Sequence, residues 1–152
     1  MYWLISVENE LVMKPDVYLD IDGVLLANDL NPALHVHDFL VKVKENANEV
    51  YWLTTHCKGD ASTAYKRLEI VLEPKTMALL KDVKATNWDA AKTDGIDFTK
   101  PFIWFDDDLF YEEKRILLEH NALDNWIEVD LAKDENNLEK FVTSFPIPVQ
   151  SL

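Results

Sequence analysis

The chain has 152 residues, enough for one domain with a sizeable core. With 48% apolar residues and three glycines, it reads as a folded chain rather than a disordered one. A formal charge of -13 argues against broad nonspecific nucleic-acid binding, which neutralises phosphates with Lys and Arg. A net value does not describe distribution, so a local basic groove stays open, as does a cluster of carboxylates around a divalent cation.

No apolar run approaches the roughly 18 residues needed to span a bilayer. The opening MYWLISVENE lacks a basic region, and its apolar run is too short for a signal peptide. The single cysteine excludes an intramolecular disulfide framework and suits a reducing compartment. The expected address is cytoplasmic, with no membrane partner.

Short apolar runs alternate with amphipathic stretches, which predicts an α/β fold with a central parallel sheet. From Asp16 to Leu26 the β-branched and aromatic run VYLDI reads as a strand ending at Asp-Gly. His37 to Asn46 carries Phe39, Leu40 and Val43 at helical spacing. Glu49 to Thr55 is a second strand. Asp60 or Ser62 caps the next helix, whose inner face holds Ala64, Leu68 and Val71 and which Pro74 stops or bends. Lys75 to Asp89 is ambiguous between helix and a short strand. Pro101 to Phe105 is a third strand and runs into Asp106-Asp107-Asp108. Tyr111 to Asn121 reads as helix, Trp126 to Val129 as strand and Glu135 to Phe145 as a closing helix. No linker or repeat divides the chain, so a single domain is expected.

Three strands end in chemically capable residues: Asp20 and Asp22, Thr54 and Thr55, and Asp106 to Asp108. In an open parallel sheet, ligands bind outside the carboxyl ends of the strands. Groups far apart in sequence are therefore expected to converge at one edge.

These residues resemble the motifs of the haloacid dehalogenase (HAD) superfamily. LDIDGVL is similar to its first motif, a hydrophobic strand followed by Asp-x-Asp-Gly, and YWLT to its second. IWFDDD is similar to its fourth, with Lys92 the candidate for the intervening lysine. The resemblance implies a HAD-like, Rossmann-like three-layer sandwich with a central parallel sheet, and magnesium-dependent hydrolysis of a phosphomonoester. Asp20 would be the nucleophile that forms an aspartyl-phosphate, and Asp22 would protonate the leaving group and then activate water. Mg²⁺ would be held by the Asp20 carboxylate, the Asp22 carbonyl and Asp106, with Asp107 holding a bound water or acting as a further ligand. Thr54 and Lys92 would contact the phosphoryl oxygens.

Lys92 is preferred to Lys100, which starts the strand that ends in the acids and so lies roughly 20 Å away at about 3.3 Å per residue. Thr54 is preferred to Thr55 because it directly follows the apolar run. An EF-hand reading of DIDG fails, because Gly23 stands fourth and Asn31 twelfth where that loop needs Gly sixth and Glu twelfth. A cysteine phosphatase built on Cys57 needs Arg at the position of Thr63, and Arg67 lies too far along. His35 and His37 lack partners for a zinc site and read as turn or surface residues.

In the resembled family an acid at the place of Asp22 accompanies transfer to water. No independent cap is expected, so the site is read as open, suited to a macromolecular phosphate end or completed by homo-oligomerisation. WLTT, AAKTDGID and PFIWFDDD also resemble small HAD domains of bacterial RNA-repair proteins, which implies an RNA or DNA end as substrate, with Lys58, Lys66 and Arg67 as a local phosphate track. A small phosphorylated metabolite is the other substrate reading. The competing class is a noncatalytic HAD-fold module that binds metal or protein.

Overall fold

The computed structural model describes residues 4–7, 10–55 and 58–148. His56 and Cys57, and with them the cysteine-phosphatase reading, lie outside these residues.

The sheet forms around the VYL run. Strand β3 (Asp16–Leu19) is buried along its whole length and pairs in parallel with β4 (Val50–Trp52) on one side and β5 (Phe102–Asp106) on the other. Strand β6 (Trp126–Glu128) adds in parallel to β5, giving the order β4-β3-β5-β6. Val17, Leu19, Ile103 and Phe105 enter one hydrophobic cluster, while Tyr18, Phe102 and Trp104 enter the other. The strands are apolar on both faces because both faces are covered, the usual condition of a parallel sheet.

Helix α1 (Val36–Asn46) buries Val36, Phe39, Leu40 and Val43, the three-and-four spacing of a single face. Phe39 and Phe141, from α5 (Glu139–Thr143), meet Phe105 with centroids 5.1 Å away in each case, at 90° and 73°. Ala64 and Leu68 of α2 (Ser62–Glu69) and Met77 of α3 (Pro74–Ala78) join the same cluster. Leu117 of α4 (Tyr111–Glu119) packs into the second cluster. This is a Rossmann-like α/β arrangement, a parallel sheet with helices on both faces.

Several boundaries differ from the sequence reading. The antiparallel hairpin of β1 (Leu4–Val7) and β2 (Glu10–Met13) has no counterpart there, since its connection lacks the Asn-Gly or Asp-Gly signal that marks short hairpins. Pro74 does not end α2, which stops at Glu69; it opens α3, where the fixed φ and missing N–H of proline cost nothing. The ambiguous Lys75 to Asp89 stretch holds the helix α3 and, in place of a strand, an isolated parallel bridge between Lys84 and Tyr51 of β4. The closing helix is confined to Glu139–Thr143, because residues 131–138 fold as turns. No helix among the described residues is long and apolar enough to cross a membrane.

The topology sets the position of the site. From β3 the chain moves outward to β4, then crosses to the far side for β5, so the connections after β3 and β5 part in opposite directions. The gap left outside their carboxyl ends is the place where open α/β sheets bind ligands.

Phe105→Ala is expected to lower unfolding free energy by about 3–5 kcal/mol, because it empties the space between α1, α5 and the sheet; urea unfolding checks this. At the opposite end of β3, burial raises the Asp16 carboxyl above its usual range, opposed by the Asn48 amide donating at 2.9 Å. A raised acid favours the native state while protonated, and that contribution is lost as pH rises through its folded value. Asp16→Asn should therefore gain stability relative to the native protein as pH rises above the ordinary carboxylate value of 3.8, measured by urea melts at each pH.

Candidate functional site

Asp20 follows β3 directly, and its N–H donates to the Phe105 carbonyl at 3.1 Å, which ties it to the end of the neighbouring strand. The chain then folds back tightly. The Ile21 carbonyl accepts from Leu25 and Leu26 at 2.9 and 3.1 Å, and Gly23 N–H donates to Leu26 at 2.8 Å. Ile21, Val24 and Leu25 anchor this turn in the core, so Asp20 and Asp22 are carried on a rigid support.

Asp106 ends β5 and is 1% exposed. One carboxylate oxygen accepts the N–H groups of Asp107 and Asp108 at 2.8 and 3.3 Å; the other accepts the Trp104 indole at 3.1 Å and the Lys92 ammonium at 2.7 Å. Four donors occupy the four lone-pair directions of the group.

Lys92 comes from a short 3-10 helix, Lys92–Gly95. Its Nζ lies 2.7 Å from Asp106 and 3.5 Å from Asp20, so it bridges the two strand ends. Its backbone N–H donates to Glu113 at 2.9 Å, and the other Glu113 oxygen accepts the Phe110 N–H at 3.1 Å. Glu113 is buried, and this one carboxylate clamps the Lys92 loop against the first turn of α4. Lys100 lies beyond the other end of β5, 3.8 Å from Asp97, as its place in the sequence requires.

Asp20, Asp106 and Asp107 each present a carboxylate oxygen, all within 4.8 Å of one another. Burial and the neighbouring Asp20 charge push the Asp106 carboxyl above its usual range, against the pull of Lys92. Asp107 is also raised, by burial and by Asp20, although its hydrogen bond with Asp106 opposes this. Burial opposes the charge on Lys92, but Asp20 and Asp106 together outweigh it and raise the ammonium above its ordinary value. One lysine does not balance three clustered carboxylates.

The donor set suits a hard divalent cation, which takes oxygen ligands. In an octahedron with metal–oxygen bonds of about 2.1 Å, ligand oxygens lie about 3 to 4.2 Å apart, so a small contraction of this cluster would meet it. Asp20 and Asp107 can take part directly, whereas Asp106 would give up one of its four hydrogen bonds.

Asp22 is about half exposed and accepts from Arg67 Nη2 at 2.9 Å. Arg67, on α2, is expected from the sequence only as part of a phosphate track. Its pairing with Asp22 depends on how α2 packs over the sheet end, which no local pattern encodes. Thr54 is 1% exposed, and Thr55, the next residue, lines the depression above the acids. That depression holds about 230 Å³ and is lined by Asp20, Asp22, Lys92, Asp106, Trp88 and Phe110, among others. A cavity of about 250 Å³ between Met13, Phe98, Lys100 and His120 gathers no comparable set of acids. His35 and His37 stand apart from the site, bonded to Asn136 and Thr76 at 2.9 Å each.

Comparison with known proteins finds no matching family model, no significantly similar curated protein and no significantly similar solved structure.

Gly23 has φ +82°, and a Cβ placed there would lie 2.4 Å from the Asp107 carboxylate. Gly23→Ala should cost about 1–2 kcal/mol from the left-handed backbone alone and displace Asp107 as well. Thermal unfolding and divalent-cation titration of the variant measure the two effects.

Proposed function

We propose that the protein is a magnesium-dependent phosphomonoester hydrolase of the HAD type, working through an aspartyl-phosphate on Asp20. The observation that carries this reading is the meeting of Asp20, Asp106 and Asp107 within 4.8 Å, with Lys92 bridging two of them at 2.7 and 3.5 Å. Motifs 86 residues apart in sequence (106 − 20) thereby form one constellation at the switch point of the sheet.

In this reading Asp20 attacks phosphorus, the ester P–O bond breaks, and the departing oxygen takes a proton from Asp22. Water then attacks the aspartyl-phosphate and gives a proton to Asp22, which restores the Asp20 carboxylate and the protonated Asp22 and releases inorganic phosphate. Arg67, 2.9 Å from Asp22, orients that carboxylate for both transfers. Lys92 offsets the phosphoryl charge and the repulsion between Asp20 and Asp106. Thr55, which borders the depression while Thr54 is 1% exposed, takes the phosphoryl contact that the motif assigns to Thr54. Mg²⁺ held by Asp20, Asp106 and Asp107, with the Asp22 carbonyl, would supply Lewis-acid stabilisation of the developing charge. The substrate is a phosphorylated small molecule or the phosphate end of RNA or DNA.

With Mg²⁺ the protein should hydrolyse an aryl phosphate, and Asp20→Asn should lower kcat/KM by a factor on the order of 10³ or more. Mg²⁺ at about 100 times its Kd should add about 2.7 kcal/mol to stability, and Asp107→Asn should shrink that gain. Absence of metal-dependent turnover on aryl phosphates, sugar phosphates and phosphorylated oligonucleotides alike would favour a noncatalytic binding module.

A further inference from the structure

The depression that holds the acids has an aromatic wall for which phosphoryl transfer has no use. Trp88 and Phe110 both line it beside Asp20, Asp22 and Lys92. Phe110 is 62% exposed, although its backbone is held firmly by the buried Glu113 carboxylate at 3.1 Å. The same carboxylate holds the Lys92 N–H at 2.9 Å, so the exposed ring and the cation of the site share one rigid frame. The Trp88 ring carries Lys58 Nζ at 4.2 Å from its centroid, a second positive charge at this border of the site.

An exposed phenyl ring gains little for the fold, since most of its surface stays in water. At the wall of a catalytic depression the same ring offers a flat face or edge to a bound ring. About 230 Å³ is less than the usual 300–1,000 Å³ of drug-sized ligand pockets, and leaves room for a phosphoryl group and one ring system.

We infer that Phe110 and Trp88 select phosphomonoesters whose leaving group is a planar aromatic ring; this rests on the phosphohydrolase reading of the same site. The phosphoryl group sits against Asp20 and Lys92, and the ring packs on the aromatic wall. Saturated ring alcohols of equal size present puckered faces that stack less well. Tyr111, the next residue, is 84% exposed but does not line the depression, so it plays no part in selection.

Benzyl phosphate and cyclohexylmethyl phosphate test this, because both release a primary alcohol and differ mainly in the flatness of the ring. With Mg²⁺, kcat/KM should favour the benzyl ester by about tenfold, the scale of one aromatic contact. Phe110→Ala should bring that ratio close to one, Trp88→Leu should reduce it, and Tyr111→Ala should leave the ratio as it was. Calorimetric titration with benzylphosphonate and cyclohexylmethylphosphonate, which are not hydrolysed, reads the same preference without turnover. A Phe110-dependent preference in binding without hydrolysis of either ester would support the aromatic subsite and sink the phosphohydrolase reading. Hydrolysis of both esters at equal kcat/KM would keep the reading and overturn the subsite, and so would a ratio unmoved by both Phe110→Ala and Trp88→Leu. Equal binding of the two phosphonates with no turnover would overturn both.

Discussion

Everything at the carboxyl edge of the sheet depends on one buried ion pair, the Lys92 ammonium 2.7 Å from Asp106. Asp20 and Asp106 end adjacent strands, so the pairing of β3 with β5 forces two carboxylates into one poorly solvated space. Without a cation between them such a pair is strongly disfavoured, and burial with the Asp20 charge pushes the Asp106 carboxyl upward against the pull of Lys92. Removing one partner of a buried pair costs far more than the pair contributes, so the lysine and the acids are mutually required.

The scaffold around this pair is built to hold it still. The Trp104 indole and two backbone N–H groups complete the hydrogen bonds of Asp106, and Glu113 fastens the Lys92 loop to α4. Below them, Phe105 is wedged between Phe39 and Phe141, which seats β5 against α1 and α5. Gly23 allows the turn after β3 to come within van der Waals contact of Asp107, a closeness that any side chain would prevent. A preorganised cluster of this kind loses little further freedom when it takes up a cation or a phosphoryl group.

The acidity of the chain is thus unevenly arranged. Against a formal charge of -13, the sheet end gathers Lys92, Arg67 and Lys58 close to Asp20, Asp22 and Trp88. Net charge therefore does not describe this edge, where three cations stand among the clustered acids and the local arrangement sets the field.

The strands, and the acids at their ends, were legible because each is written in consecutive residues. VYLD, YWLT and FIWFDDD join an apolar run to a polar terminus, and burial on both faces of a parallel sheet demands that pattern. Strand spacing alone also sufficed to exclude Lys100. The pairing of Arg67 with Asp22, the double clamp by Glu113 and the aromatic border of Trp88 and Phe110 were not legible, and the choice between Thr54 and Thr55 at their strand end needed the fold. The N-terminal hairpin escaped for want of a turn signal. The sequence by itself determined which chemical groups end the strands, since backbone periodicity is local. Only the tertiary structure decided which charges meet, because a distance of 2.7 or 2.9 Å between residues on separate elements follows from strand order, helix packing and loop path together.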